Sequence, residues 1–230
     1  MSRQTATSRL SISKARKEVN GNLIENGDFE YAPPFTAVQT ASMWIDGTAT
    51  GGNTDEKPTP IGWYGSIVNG ATCQFDTSTS HSGTKSMKLS TPTTGDYAEI
   101  KYRSTYYAGI NPENKIICQP NTSYTCTYWM KTEYTSGDSN NGAKVTIIEG
   151  DGLGTTGTNT SGTEIKTTTD WTQYTVTFTT ASTANSLNLE CRIYGHTGDA
   201  DLIMDAWFDD IVLKPTTPVT RTAATGRTAC

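Results

Sequence analysis

Alternation of side-chain character constrains this chain more than any other feature. In the run YTCTYWMK, Tyr124, Cys126, Tyr128 and Met130 alternate with Thr125, Thr127, Trp129 and Lys131. A period of two is the mark of an extended strand with one face buried. The same period returns at Met87 and Leu89, at Tyr174, Val176 and Phe178, and at Leu187, Leu189, Cys191 and Ile193. No segment shows a helical period. Turn signals such as Asn26-Gly27 and Pro120-Asn121 separate the runs, and the 21 glycines suit short connections. About eight to ten strands of this kind can bury one face each only by packing as two antiparallel sheets, so the expected fold is an all-β, antiparallel β-sandwich.

At 230 residues there is room for one such domain. The pattern places it at residues 22–214, between a basic arm at 1–21 and a polar tail at 215–230 that has almost nothing to bury. Within it, residues 33–60 hold Trp44, a GTATGGN run and breakers at Pro58 and Pro60, and read as a long surface loop offering a contact surface. No stretch reaches about 18 consecutive apolar residues, so no membrane-spanning helix and no membrane partner are expected. The basic start lacks an apolar core, which argues against a secretory signal and for release only on lysis. The formal charge of −5 hides an asymmetry: the arm carries five Lys or Arg against Glu18, whereas residues 22–214 carry 11 basic and 22 acidic residues. Such a body repels nucleic acid, and an arm without aromatic residues offers no stacking platform, so nucleic acid is disfavoured. The arms are expected to be solvated or to dock on copies of the chain or on other subunits of an assembly.

Catalytic and metal motifs are sparse. The five cysteines (Cys73, Cys118, Cys126, Cys191, Cys230) form no CxxC pair, and with two histidines they support no zinc site. Cys126 and Cys191 lie on apolar positions and read as core fillers; Cys230 is the thiol expected to react. Asp209 and Asp210 are adjacent on a strand and are expected to point to opposite faces, unlike a glycosidase pair. GDGLGTTGTNTSG at 150–162 lacks the Lys of a phosphate loop and reads as a long hairpin loop. A non-catalytic role is expected.

Six motifs in order add a resemblance. NLIENGDFE at 22–30, IGWY at 61–64, HSGTKSMKLS at 81–90, SYTCTYWMKTE at 123–133, TTDWTQYTVTF at 168–178 and AWFDDIVL at 206–213 occur in the order seen in one group. The chain resembles the carbohydrate-binding modules of families four, nine, sixteen and twenty-two, which share a galactose-binding-like jelly roll. The resemblance implies a structural Ca2+ held by the side chains of Glu30 and Asp209 and the carbonyls of Asp28, Ser82 and Lys85, an all-oxygen set suited to a hard cation. It also implies that the strand region at 96–107 faces glycan. Tyr97 and Glu99 align with an aromatic and a carboxylate that the family uses, alternation puts Lys101 and Arg103 on their side, and Arg192 and Tyr194 are expected to line the same face. A solvated sheet surface is the competing reading of these residues. Trp63, Trp171 and Trp207 fit core positions; Trp129 lies opposite the apolar side of its strand.

These readings converge on a structural or attachment subunit of a virion or other assembly, built on a jelly roll that binds host glycans and is found in the virion or outside cells after lysis. WIDGTATGG at 44–52 resembles sequence in bacteriophage minor tail proteins. The alternative is a carbohydrate-binding module of a secreted glycoside hydrolase.

Overall fold

The computed structural model describes residues 21–30, 63–68, 71–92, 97–102, 116–137, 142–150, 156–194 and 202–217. The sequence expectations for the arm before residue 21, the 33–60 loop, Trp44, Arg103 and Cys230 lie outside these residues.

Eleven strands follow one another in the described residues: β1 Trp63–Val68, β2 Thr72–Asp76, β3 Ser86–Thr91, β4 Tyr97–Tyr102, β5 Ile116–Ile117, β6 Ser123–Ser136, β7 Ala143–Gly150, β8 Thr156–Ser161, β9 Thr169–Thr179, β10 Ser186–Tyr194 and β11 Ile203–Pro215. The described residues contain no helix, hence none long and apolar enough to cross a membrane. All pairings are antiparallel. One sheet runs β1-β4-β10-β7-β8, with β5 added beside β10, and the other runs β2-β3-β11-β6-β9. The sandwich is therefore the all-β, antiparallel one expected from the strand pattern, and its jelly roll is the one the resemblance implied.

The period-two residues do what their pattern demands. From the five-stranded sheet Met87, Leu89, Tyr124, Cys126, Tyr128, Met130, Ala206 and Phe208 point inward; from the other sheet Ile100, Tyr102, Val145, Ile147, Leu189, Cys191 and Ile193 meet them. Cys73, Cys118, Cys126 and Cys191 are buried and free, as small core fillers. Burial alone pushes the Cys73 and Cys126 thiols up to about 12, which keeps them protonated and unreactive.

Residues 22–30 form a strap of turns, with the expected turn at Asn26-Gly27 inside it. Asn26 and Phe29 take φ of 52° and 51°. The strap is sewn to β11: the Leu23 amide donates to the Leu213 carbonyl (2.8 Å), the Ile211 amide to the Gly27 carbonyl (2.9 Å), and Asn22 Oδ1 accepts from the Leu213 amide (2.9 Å). A side chain at Gly27 would overlap the Ile211 carbonyl, so only glycine allows this approach. Phe29 is fully buried and its ring lies 5.1 Å from that of Trp63, which confirms Trp63 as core. β8 departs from expectation: it pairs with β7 where a hairpin loop was expected.

Trp207 and Trp171 are not in the core. Met204, Ala206 and Phe208 of β11 face inward, so Trp207 faces outward, flanked in register by Lys88 and Lys131. The two ammonium groups lie 4.7 and 5.0 Å from the Trp207 ring and their stems cover it. The indole Nε1 donates to Asp76 Oδ2 at 2.6 Å. Apolar character suggested the core, but register puts this ring under lysine stems on the sheet's outside. Burial works against the Asp76 charge, but hydrogen bonds from Ser78 and Trp207 outweigh it and hold its pKa below the ordinary 3.8.

Replacing Trp207 with Phe is expected to cost about 1 kcal/mol in urea denaturation at neutral pH, since it removes a donor from a charged acceptor at a partly exposed site. A depressed carboxylate pKa contributes stability above its unfolded value and loses it as pH falls through the folded one. The difference between wild type and Trp207→Phe should therefore shrink as pH falls below 3.8.

Candidate functional site

The outer face of the six-stranded sheet gathers most of the residues expected to meet glycan. Alternation turns Tyr97, Glu99 and Lys101 of β4 away from the core, and Asn188, Glu190 and Arg192 of β10 with them. Register sets Glu99 opposite Arg192 and Lys101 opposite Glu190, so opposite charges sit across from each other in a checkerboard. Lys101 Nζ lies 2.5 Å from Glu99 Oε1 and 3.3 Å from Glu190 Oε1. Arg192 Nη1 lies 3.4 Å from Glu190 Oε2, and Asn188 Nδ2 donates to Glu190 Oε1 at 3.4 Å.

This outer face is not a solvated one: Glu99, Glu190 and Asn188 are 2%, 4% and 3% exposed. Burial pushes the Glu99 carboxyl above its ordinary 4.5, against the pull of Lys101 and with the added repulsion of Glu190. Burial disfavours the Lys101 charge too, but Glu99 and Glu190 outweigh it and hold the ammonium above its ordinary value. Among the described residues, Asn188 Oδ1 is buried with no hydrogen-bond partner. Such an acceptor is complete only when a donor reaches it from water or a ligand.

Tyr97 stands across from Tyr194 at the end of the same two strands, while the Tyr194 side chain lies outside the described residues. Of the expected set, the structure thus brings together Glu99, Lys101 and Arg192, with Tyr97 on their side. Sequence reasoning missed Asn188 and Glu190, although the alternation of LNLECRIY already put them on the face of Arg192.

A second constellation lies on the outer face of the five-stranded sheet. Trp129 points outward and its ring stacks on His81 with centroids 3.7 Å apart and planes 13° apart; Trp171 meets His81 edge-on at 6.0 Å. Asp210 Oδ2 lies 2.6 Å from His81 Nδ1, and Ser82 Oγ donates to Asp210 Oδ1 at 2.8 Å. The His81 and Ser82 amides donate to Asp209 Oδ2 (2.8 and 3.1 Å). Both carboxylates therefore meet the same loop, contrary to the expectation of opposite faces. A register break between Asp209 and Val212, with Asp210 at φ 48°, swings them together.

The residues expected to hold Ca2+ frame that loop. Glu30 Oε1 accepts the Thr84 and Lys85 amides (2.7 and 2.8 Å), one step along from the amides that serve Asp209. Gly83, at φ 60°, lies so close to the Glu30 carboxylate that a Cβ there would overlap it. Burial, reinforced by the charge of Asp210, raises Asp209 to about 6 against the pull of its amide donors. Among the described residues no three His, Cys, Asp or Glu side chains gather to hold a metal. A cation here would have to be held by the two carboxylates together with carbonyls; in the structure both carboxylates accept backbone amides, and the Lys85 ammonium lies 3.9 Å from Glu30 Oε2.

No family model matches the sequence, and no curated protein matches it. Solved structures do. An enzymatically active domain of tailspike protein 4 of bacteriophage CBA120 is similar at 15% identity with a TM-score of 0.50, over 85% of this chain and 21% of that one, so this chain spans about a fifth of the tailspike's length. A family 16 carbohydrate-binding module is similar at 20% identity and a TM-score of 0.41 (61% and 84% of the two chains). The CBM22-1 xylan-binding domain from Paenibacillus barcinonensis Xyn10C is similar at 14% and 0.40 (67% and 85%). At these identities the likeness is one of fold. The architecture is that of an all-β, antiparallel two-sheet jelly roll.

Replacing Lys101 with Met would strand two buried carboxylates. The expected loss is about 3–5 kcal/mol in urea denaturation near pH 8. A carboxylate whose folded pKa is raised destabilises the fold once ionised, so stability is greatest below its unfolded value and is lost as pH rises through the folded one. Without Lys101 the Glu99 carboxyl rises further, so the deficit of the variant should narrow toward about pH 5.

Proposed function

We propose that this chain is a non-catalytic glycan-binding module that serves as a structural or attachment subunit of a virion or similar assembly. The observation that carries the binding part is the polar face of β4 and β10: buried charges fixed in a closed checkerboard, with the Asn188 Oδ1 acceptor left without a donor. Sugar hydroxyls are donors of the kind it lacks, and Tyr97 at the end of the same face supplies an aromatic ring. The non-catalytic part of the reading is supported on this face by Glu99 and Glu190 both being engaged by Lys101. The assembly part is supported by basic arms on an acidic body, by the tail-protein-like WIDGTATGG stretch and by the likeness to a bacteriophage tailspike domain.

A glycan array probed with wild type, Asn188→Ala and Arg192→Ala tests the reading. Wild type should bind a defined subset of glycans, and each variant should lose about tenfold in affinity while still unfolding cooperatively, Arg192→Ala at a lower melting temperature because it leaves Glu190 with one partner fewer. Silence of wild type across the array, or wild-type binding by both variants, overturns it. Imaging of the source particle tests the assembly part, and a chain absent from any particle overturns that part alone.

We also propose that the Glu30 and Asp209 carboxylates, with the carbonyls of Asp28, Ser82 and Lys85, hold a structural Ca2+ that ties the strap to the 81–85 loop. Excess Ca2+ should raise the melting temperature by several degrees, EDTA should reverse this, and Glu30→Gln should abolish the response. A melting temperature indifferent to both additions sinks the cation.

A further inference from the structure

We propose that the free edge of β9 pairs antiparallel with β9 of a second copy of this chain across a two-fold axis, joining the two five-stranded sheets into one. In strand order β9 ends its sheet, and among the described residues nothing pairs with its outer edge. The other edge strands are short, with two residues in β5, five in β2 and six each in β1 and β8, whereas β9 runs for eleven. Short length, Lys, Pro and bulges are the usual ways of blunting an edge against pairing. The β9 sequence TDWTQYTVTFT has no Lys, Arg, Pro or Gly, and Asp170 is its one charge. Its residues are strong strand formers, and Asp170, Thr172, Gln173, Thr175, Thr177 and Thr179 are exposed. The register break opposite β6 lies between Met130 and Thr132, at the Asp170 end, so Gln173–Thr179 pairs with β6 without interruption and presents a regular outer ladder.

The occupant that fits this edge is the same strand. Antiparallel pairing about a two-fold axis sends the two Asp170 carboxylates to opposite ends of the ladder, whereas a parallel arrangement would set them side by side. An axis normal to the sheet also keeps each face in phase. Tyr174, Val176 and Phe178 of both copies stay on the core side, and Trp171, Thr175 and Thr177 stay outside. Tyr174, only partly buried in a single chain although it packs on the core, thereby gains a cross-strand neighbour.

Sedimentation of the full chain over a wide concentration range tests the proposal, with the double variant Thr175→Lys/Thr177→Lys and the control Thr127→Lys on the interior strand β6. Wild type should form a reversible dimer. The edge lysines, brought together in fours around the axis, should weaken it at least about tenfold without lowering the melting temperature, and the control should still dimerise. Hydrogen exchange on unaltered protein gives a second reading: Gln173–Thr179 amides not bonded to β6 should be protected in concentrated solution and not in dilute. A wild type that stays monomeric, a dimer that survives the edge lysines, or equal dissociation by Thr127→Lys each overturns the proposal.

Discussion

Where β11 loses register with β6, between Asp209 and Val212, three otherwise separate pieces of the chain become one. The break turns the Ile211 amide and carbonyl out of the ladder, and the strap takes both, through the Gly27 carbonyl and Asn22 Nδ2. It also delivers Asp209 and Asp210 to the same loop, where four groups of His81 and Ser82 receive them. A straight strand would have satisfied its own backbone and left the strap and the loop to solvent. Asp209 has no exposed surface, so its charge is carried by amide donors in place of water. Glycine is required on both sides of the arrangement, at Gly27 under Ile211 and at Gly83 under Glu30. The aromatic stack of His81 on Trp129 follows from it, because the loop that carries His81 is held where Asp209 holds it.

The polar face of the other sheet obeys a different economy. Burying Glu99 and Glu190, with Lys101 and Arg192 half-buried beside them, is expensive, and apolar residues of similar volume would often make as stable a fold. What the charges provide is mutual positioning. Each side chain is fixed by the next, so Asn188 and Arg192 are held in place before any ligand arrives, and less ordering remains to be done on binding. Removing one member leaves the others buried and uncompensated, so the network is far costlier to break than its net stabilisation suggests.

The sequence made legible whatever depends on alternation alone. The inward rows at Tyr124–Met130, Tyr174–Phe178 and Leu187–Ile193, and the all-β sandwich built from them, follow from a period of two. The same rule puts Glu99, Lys101 and Arg192 on one side. It cannot say whether an outward residue is exposed, which depends on what lies over the face; hence Trp207, outward yet covered by Lys88 and Lys131, resembled core. Nor can it see a break in phase. Asp209 and Asp210 face the same loop because the bulge cancels the alternation that would have parted them. The strand Thr156–Ser161 was hidden for a third reason: its Gly, Asn and Ser residues are turn formers set between its threonines, and pairing with β7 makes the run a strand.

The two sheets therefore divide the surface between them. The polar face of β4 and β10 gathers fixed charges, whereas the five-stranded sheet has stacked aromatics, a tryptophan covered by lysine stems and, among the described residues, a long unpaired edge. Pairing along β9 leaves the polar face untouched. A two-fold axis normal to the five-stranded sheet also turns the polar faces of both copies in the same direction, because such a rotation exchanges the copies without inverting either face. Two sites held at a fixed spacing on one side of a rigid body suit a surface that repeats its sugars. Under the proposed glycan binding and pairing, the second site would bind at a high effective concentration, and avidity would exceed the affinity of either face with no further contact. A single face of modest affinity would be sufficient in that setting, since attachment would be governed by how many modules engage at once.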